Sequence, residues 1–335
     1  MTKLRNVLLL MVTAPVLVFS QSNSIDLFHF LMPDAQLIAG IHVDSAKNSP
    51  FGQFVLSRIP MGGGQLATFI SETGVDPLRD IQEVLVGWNG GTDTSARWLV
   101  AAHGNFMASI ETIEVNALKN GATITRMPGA DLVTVSTQPS ICIGFFTDGG
   151  TDLAGDCTSV TTAIQFGANT GSPMSPVAMT AQQLRVAQDL WFASVVPASE
   201  IASFVPNGTT GASAGINPGA ILKNPLFQAI QEISGGIKLS GLATGTGALL
   251  SAAVLMNSPQ NATSLLNVVN FIASMLQSAA GSGSAGGSIA TLLSNLQASV
   301  DGSTVNIGLS VPEETLEQLF EQAGQLAMNP PARGR

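Results

Sequence analysis

The clearest alternation of apolar and polar positions in the chain lies between residues 34 and 104. The segment opens with DAQLIAGIHV, in which Leu37, Ala39, Ile41 and Val43 recur at every second position, the period of a β-strand. Ile38 is apolar as well, so this strand is expected to be covered on both sides. Ser49-Pro50 then marks a helix start, with Pro at the first helical position, and Phe51, Phe54, Val55 and Ile59 follow at helical spacing. Leu66, Phe69 and Ile70 predict a second helix that ends at Gly74. EVLVGW (83–88) and ARWLVAAHG (96–104) flank a loop of turn formers, NGGTDTS, and predict an antiparallel hairpin. A helix over 106–120 follows, stopped by Gly121. The short strands ATITRM, DLVTVS and ICIGFF come next, then a turn at 147–150, the strand DLAGD and a closing helix, CTSVTTAIQFG.

The second half repeats this order. DLWFASVV (189–196) matches the first strand, and LKNPLFQAI (222–230) echoes AKNSPFGQFV (46–55) as a helix entry. GIKLSGLAT and ALLSAAVLM resemble the hairpin, and NATSLLNVVNFIASMLQ (261–277) takes the place of the helix at 106–120. IATLLSNLQ reads as helix, and ASVDGSTVNIGLSV reads as a hairpin around the Asp301-Gly302 turn. Pro312 starts a last helix with Glu313 and Glu314 in its first turn, where carboxylates complement the helix dipole. The expected class is therefore α+β: two tandem pseudo-repeated units, each a mostly antiparallel sheet with helices packed on one face. The expected division is a signal peptide at 1–20, a first unit at 21–167, a linker at 168–180, a second unit at 181–327 and a disordered tail at 328–335.

The first 20 residues read as an address rather than as fold. Lys3 and Arg5 precede an apolar run at 6–19, of the length of a signal-peptide core, and Val18 and Ser20 supply the small residues a signal peptidase reads before a cut after Ser20. An uncleaved N-terminal anchor is the alternative. No later run is long and apolar enough to predict a membrane span once the signal is cleaved. Charged residues make up only 10% of the chain and the net charge is −9, which argues against nucleic acid, whose phosphates need clustered Lys and Arg. With no Tyr and three Trp, a stacked sugar-binding face is poorly supplied.

Few constellations suggest chemistry. Ser213 sits in Gly-Ala-Ser-Ala-Gly, the form of a hydrolase nucleophile elbow, but its flanks are loop-like where a strand and a helix are required. His42 and His103 fall on strands expected in one sheet, with Asp44 nearby; a hydrogen-bonded structural pair is the commoner outcome, and a metal or acid–base site the weaker alternative. Asp152 and Asp156 read as solvated or capping carboxylates rather than as a catalytic dyad. Cys142 and Cys157 are the only cysteines, and export permits one disulfide between them, subject to strand register. No cofactor site is expected.

The segments MPDAQLIAGIHVDSAKNSPFGQFVL, DPLRDIQEVLVGW and GFFTDGGTDLAGD resemble a group of uncharacterised exported bacterial proteins with a Pro-x-Asp-Ala strand entry and a Ser-Pro-Phe-Gly-Gln helix. The resemblance implies a periplasmic or extracellular location in a diderm bacterium and transfers no catalytic motif. The expectation is a non-catalytic exported protein that binds a protein or a small apolar ligand, or contributes to envelope structure. The alternatives are a secreted serine hydrolase and a small apolar-ligand carrier using the cleft between the repeats.

Overall fold

The structure, a computed structural model, describes residues 26–58, 65–91, 96–137, 140–167, 175–197, 200, 224–239, 247–280 and 292–328. The expected signal peptide, the first part of the expected linker (168–174), Ser213 and the final residues after 328 lie outside the described residues.

The protein is α+β, built on a 12-stranded sheet in which every neighbouring pair is antiparallel. A 3-10 turn at Leu27–Phe30 leads into β1 (Leu37–His42). Helices α1 (Val43–Asn48), α2 (Pro50–Arg58), α3 (Gln65–Thr73) and α4 (Pro77–Asp80) separate it from the hairpin β2 (Ile81–Trp88) and β3 (Trp98–Gly104). Then come α5 (Ile110–Lys119), β4 (Thr123–Met127), β5 (Ala130–Thr137), β6 (Ser140–Phe146), β7 (Thr151–Asp156), α6 (Cys157–Gly167) and α7 (Pro176–Ala187). The second half holds β8 (Leu190–Ser194), α8 (Pro225–Gln228), β9 (Ile230–Leu239), β10 (Gly247–Met256), α9 (Pro259–Ala280), β11 (Leu296–Asp301), β12 (Thr304–Pro312) and α10 (Glu313–Met328). The order across the sheet is β11-β12-β10-β9-β8-β1-β2-β3-β7-β6-β5-β4.

The two halves meet strand to strand. β1 pairs with β8 from Leu37 opposite Ser194 to Ile41 opposite Leu190, so one hydrogen-bonded sheet crosses the middle of the chain. Residues 176–180, expected in a linker, belong to α7, whose first turn is capped by the Ser175 hydroxyl accepting from the Ala178 amide.

Residues directly opposed on antiparallel strands share a face, so the register identifies what each face carries. One row runs the full width of the sheet: Ala298, Ile307, Ala252, Gly235, Phe192, Ala39, Val86, Val100, Ala154, Ile143, Val133 and Ile124. It contains no polar side chain. The opposite face carries Ile38, Leu85, Leu99, Leu153 and Trp191, packed with the Leu27–Leu31 lead and with Val160 and Ile164 of α6 and Val177 and Ala181 of α7. Burying each large aliphatic side chain there contributes about 1.5–3 kcal/mol. On the first face α9 places Ala262 and Leu265 over Val254 and Val305, and α3 and α5 lie over β2, β3, β6 and β7. Helices thus pack on both faces, which corrects the one-face expectation. The reason is that β3 and its neighbours are apolar on both sides, Leu99 and Val100 alike, and both sides are covered there.

Cys142 and Cys157 form a disulfide with a Cα–Cα distance of 4.8 Å. Cys142 lies opposite Gly155, and Cys157 opens α6 two residues later, so the bond fastens that helix to β6. Gly144, also on β6, gives α6 its close approach: a Cβ there would lie 2.9 Å from Ile164 Cδ1.

Candidate functional site

A groove of about 610 Å³ opens on the face that carries the full-width row. Its floor comes from β1, β8, β9, β10, β12 and β11. A second row crosses these strands beside the first: Ile41, Leu190, Ile237, Leu250, Leu309 and Leu296. α9 covers the neighbouring line of Ile233, Val254, Val305 and Val300 on one side. On the other side Leu239, Ala248 and Val311 are buried, where α10 packs against β10, β12 and α2. Phe320 of α10 meets Phe51 and Phe54 edge-on, at ring-centroid distances of 6.3 and 6.0 Å. Between these two covered ends no described element lies over the middle of the sheet, and Phe192 is 38% exposed there.

The groove's chemistry is almost wholly aliphatic. Among the described lining residues none is charged, and the two with polar side-chain atoms, Ser251 and Trp191, carry those side chains on the opposite face. Small residues make the depth. Ala39, Ala252 and Gly235 lie along the centre of the floor, and a Cβ on Gly235 would come within 2.4 Å of the Ser251 carbonyl oxygen. Such a surface binds by excluding water from apolar area.

The two histidines share one cross-strand row with Glu83 between them, His42 opposite Glu83 and Glu83 opposite His103. They are not poised as a pair. His42 Nε2 lies 2.9 Å from the Arg185 carbonyl oxygen, which accepts from it, and His103 Nδ1 lies 2.8 Å from the Gly150 carbonyl oxygen. Glu83 is taken by Arg185 in two parallel bonds, both 2.6 Å. Arg185 also donates to Asp26 at 3.1 Å. Burial works against the Arg185 charge, but Glu83 and then Asp26 outweigh it and hold the guanidinium above its ordinary pKa. Asp44, expected close to the histidines, pairs with Lys47 at the surface. Among the described residues no group of three or more His, Cys, Asp or Glu is arranged to hold a metal ion.

Asp189, just before β8, accepts from Lys238 at 2.8 Å and from the Leu239 amide at 2.6 Å, both of β9, and across the β1–β8 seam from the Ser45 hydroxyl. Burial pushes its pKa up, but these donors together hold it below the usual carboxylate value. The Glu83–Arg185 pair ties α7 to the first half, and the Ser45–Asp189 bond ties the entry to β8 to it; sequence reading missed both, because their partners lie far apart in the chain.

The carboxylates expected to be solvated or capping divide. Asp156 is a cap, accepting from the Ser159 amide through one oxygen and from the Trp98 amide through the other, each at 2.9 Å. Asp152 instead faces inward beneath α3 and α5. Its Oδ1 is buried without a hydrogen-bond partner, and burial, reinforced by Asp148, pushes its pKa up to about 8. Alternation along DLAGD gives no hint of this, since the helices that bury Asp152 come from elsewhere in the chain.

No family model matches the chain, and no curated protein matches it. A solved structure titled "Structure of crystal form I of TP0453" is similar with a TM-score of 0.47 at 9% identity, over 90% of this chain and 98% of that one. A likeness of that degree supports no conclusion about ligand or mechanism. Among the described residues no helix is long and apolar enough to cross a membrane, which says nothing of a strand-built span.

Proposed function

We propose that this is a non-catalytic exported binding protein whose groove holds one elongated apolar molecule. The supporting observation is the groove itself: about 610 Å³ of open, uncharged volume on a floor of Leu190, Phe192, Ile237, Leu250, Ile307 and Leu309. That size lies within the range of small-molecule sites, about 300–1,000 Å³. An apolar surface of this extent left open to water is otherwise an aggregation hazard, and a resident ligand removes it. Export is supported by the signal-like first 20 residues and by the Cys142–Cys157 bond, because disulfides persist in oxidising compartments.

We further infer that the scaffold is a doubled module. Reading outward from the central pair, β1-β2-β3-β7-β6 on one side answers β8-β9-β10-β12-β11 on the other, and β5 and β4 extend the first side only. α5 and α9 occupy corresponding places, each after the third strand of its half. The groove then belongs mainly to the second half, beside α9. No described residue favours a hydrolase.

Native mass spectrometry of protein purified from its own host without detergent tests the binding reading. One adduct per chain, lost in organic solvent, is expected; a chain of bare mass that also takes up no added long-chain fatty acid would count against it.

A further inference from the structure

On the same face of the sheet, under α3 and α5, lies a smaller cavity of about 190 Å³. Phe69, Phe106, Val100, Ile113 and Phe145 form most of its wall. Among the described lining residues, two side chains carry polar atoms, Thr73 and Asp152. Thr73 is already committed: its hydroxyl donates to the Phe69 carbonyl oxygen at 2.7 Å and accepts from the Val75 amide at 3.1 Å. Asp152 Oδ1 remains buried and unbonded. Leaving a buried acceptor unsatisfied is unfavourable, and a donor entering the cavity would relieve it.

We propose that this cavity is a second binding site, taking a small aromatic primary amine whose ammonium group binds Asp152. No described protein cation is free to serve instead. Among the charged groups of the surrounding elements, Glu72, Glu111 and Lys119 are exposed, and Glu114 and Asp131 are both held by Arg126. Asp148, in the adjoining turn, adds negative charge. Three phenylalanine rings give the walls the electron-rich faces that attract a cation. The volume sets the ligand's size, since a cavity of about 150 Å³ accommodates benzene. One ring and a two-carbon arm therefore fit.

The ammonium needs Asp152 ionised, and Asp152 holds its proton up to about pH 8. Binding at pH 6.5 therefore transfers the Asp152 proton to the buffer, and apparent affinity rises about tenfold per pH unit up to that point. The test is calorimetric titration of the purified protein with 2-phenylethylamine at pH 6.5 and 7.5, in two buffers of different ionisation enthalpy. We expect saturable one-to-one binding, close to one proton released at pH 6.5, and roughly eightfold tighter binding at the higher pH. Asp152→Asn should abolish saturation, and Ala252→Phe, which fills the separate groove, should leave it unchanged. Absence of saturation at about 10 mM amine, corresponding to less than about 3 kcal/mol, would overturn the proposal. Equal binding by Asp152→Asn, loss of binding in Ala252→Phe, or an uptake without proton release would do the same. If Asp152→Asn does not fold, the proton count on the unaltered protein decides alone.

Discussion

Glu83 and Arg185 stand 102 residues apart in the chain and meet in a two-pronged ion pair, Nε to Oε1 and Nη2 to Oε2, both at 2.6 Å. The Glu83 side chain is 8% exposed and that of Arg185 20%. The pair ties β2, in the first half, to the helix that leads into β8. Removing one partner leaves a buried charge uncompensated, which typically costs about 3–5 kcal/mol. Arg185→Leu should therefore destabilise the protein by about 3 kcal/mol in urea unfolding, and the double change Glu83→Gln, Arg185→Met should recover most of it. Equal losses in the two variants would mean that packing of the Arg185 stem, not its charge, matters.

The Cys142–Cys157 bond closes a loop with a separation of 15 residues. The chain-entropy relation gives about 3 kcal/mol for a loop of that length. Cys142→Ala with Cys157→Ala should lower stability by about that amount, and a reductant should lower the unaltered protein equally while leaving the variant untouched. Hydrogen exchange should place the loosening in α6.

Asp152 gives the protein a pH dependence of unusual sign. Its pKa is raised from 3.8 to about 8 on folding, through burial and then Asp148, so the folded state binds the proton more tightly than the unfolded state. Its contribution is full below the unfolded value, is lost steadily between about pH 4 and pH 8, and changes no further above that. Asp152→Asn should flatten that part of the stability–pH curve and should be most stabilising, relative to the unaltered protein, near pH 8. A curve unchanged by the substitution would show that the carboxyl is hydrated in solution.

Gly40 is required by Trp191, whose ring lies across it: a Cβ at position 40 would meet Trp191 Cζ2 at 2.2 Å. Gly40→Ala should force the indole aside at a cost of about 1–3 kcal/mol. Trp191 is 3% exposed, so its fluorescence should shift to the red in the variant.

Much of the first half is legible in its residues because the signals are local. The hairpin of β2 and β3, the run β4 to β7 and the start of α6 at Cys157 follow from alternation and from turn formers. The failures are equally specific. The expected helix start at Ser49-Pro50 misses α1, which follows directly on β1 with His42 at its N-cap position and no side-chain cap to announce it. β9 begins at Ile230, six residues before the strand expected from Gly236. Gly235-Gly236 reads locally as a break, yet both glycines lie within the strand, crowded by Ser251 on one side and by Gln188 and Leu190 on the other. Leu296 and Gln297, expected in a helix, open β11. The groove could not be read from the sequence at all. Its floor is a set of registers between strands of both halves, and no local period encodes which residues oppose one another.

The central claim is that the open middle of the sheet binds an apolar chain. Titration with a dansyl-labelled undecanoic acid, comparing the unaltered protein with Ala252→Phe, tests it most directly, because residue 252 lies on the groove floor beside Gly235 and a phenyl ring there occupies the space. The account predicts saturable one-to-one binding at roughly micromolar concentration, about 8 kcal/mol, weakened at least tenfold by Ala252→Phe with the melting temperature preserved. Non-saturating fluorescence, or identical curves for the two proteins, would contradict it.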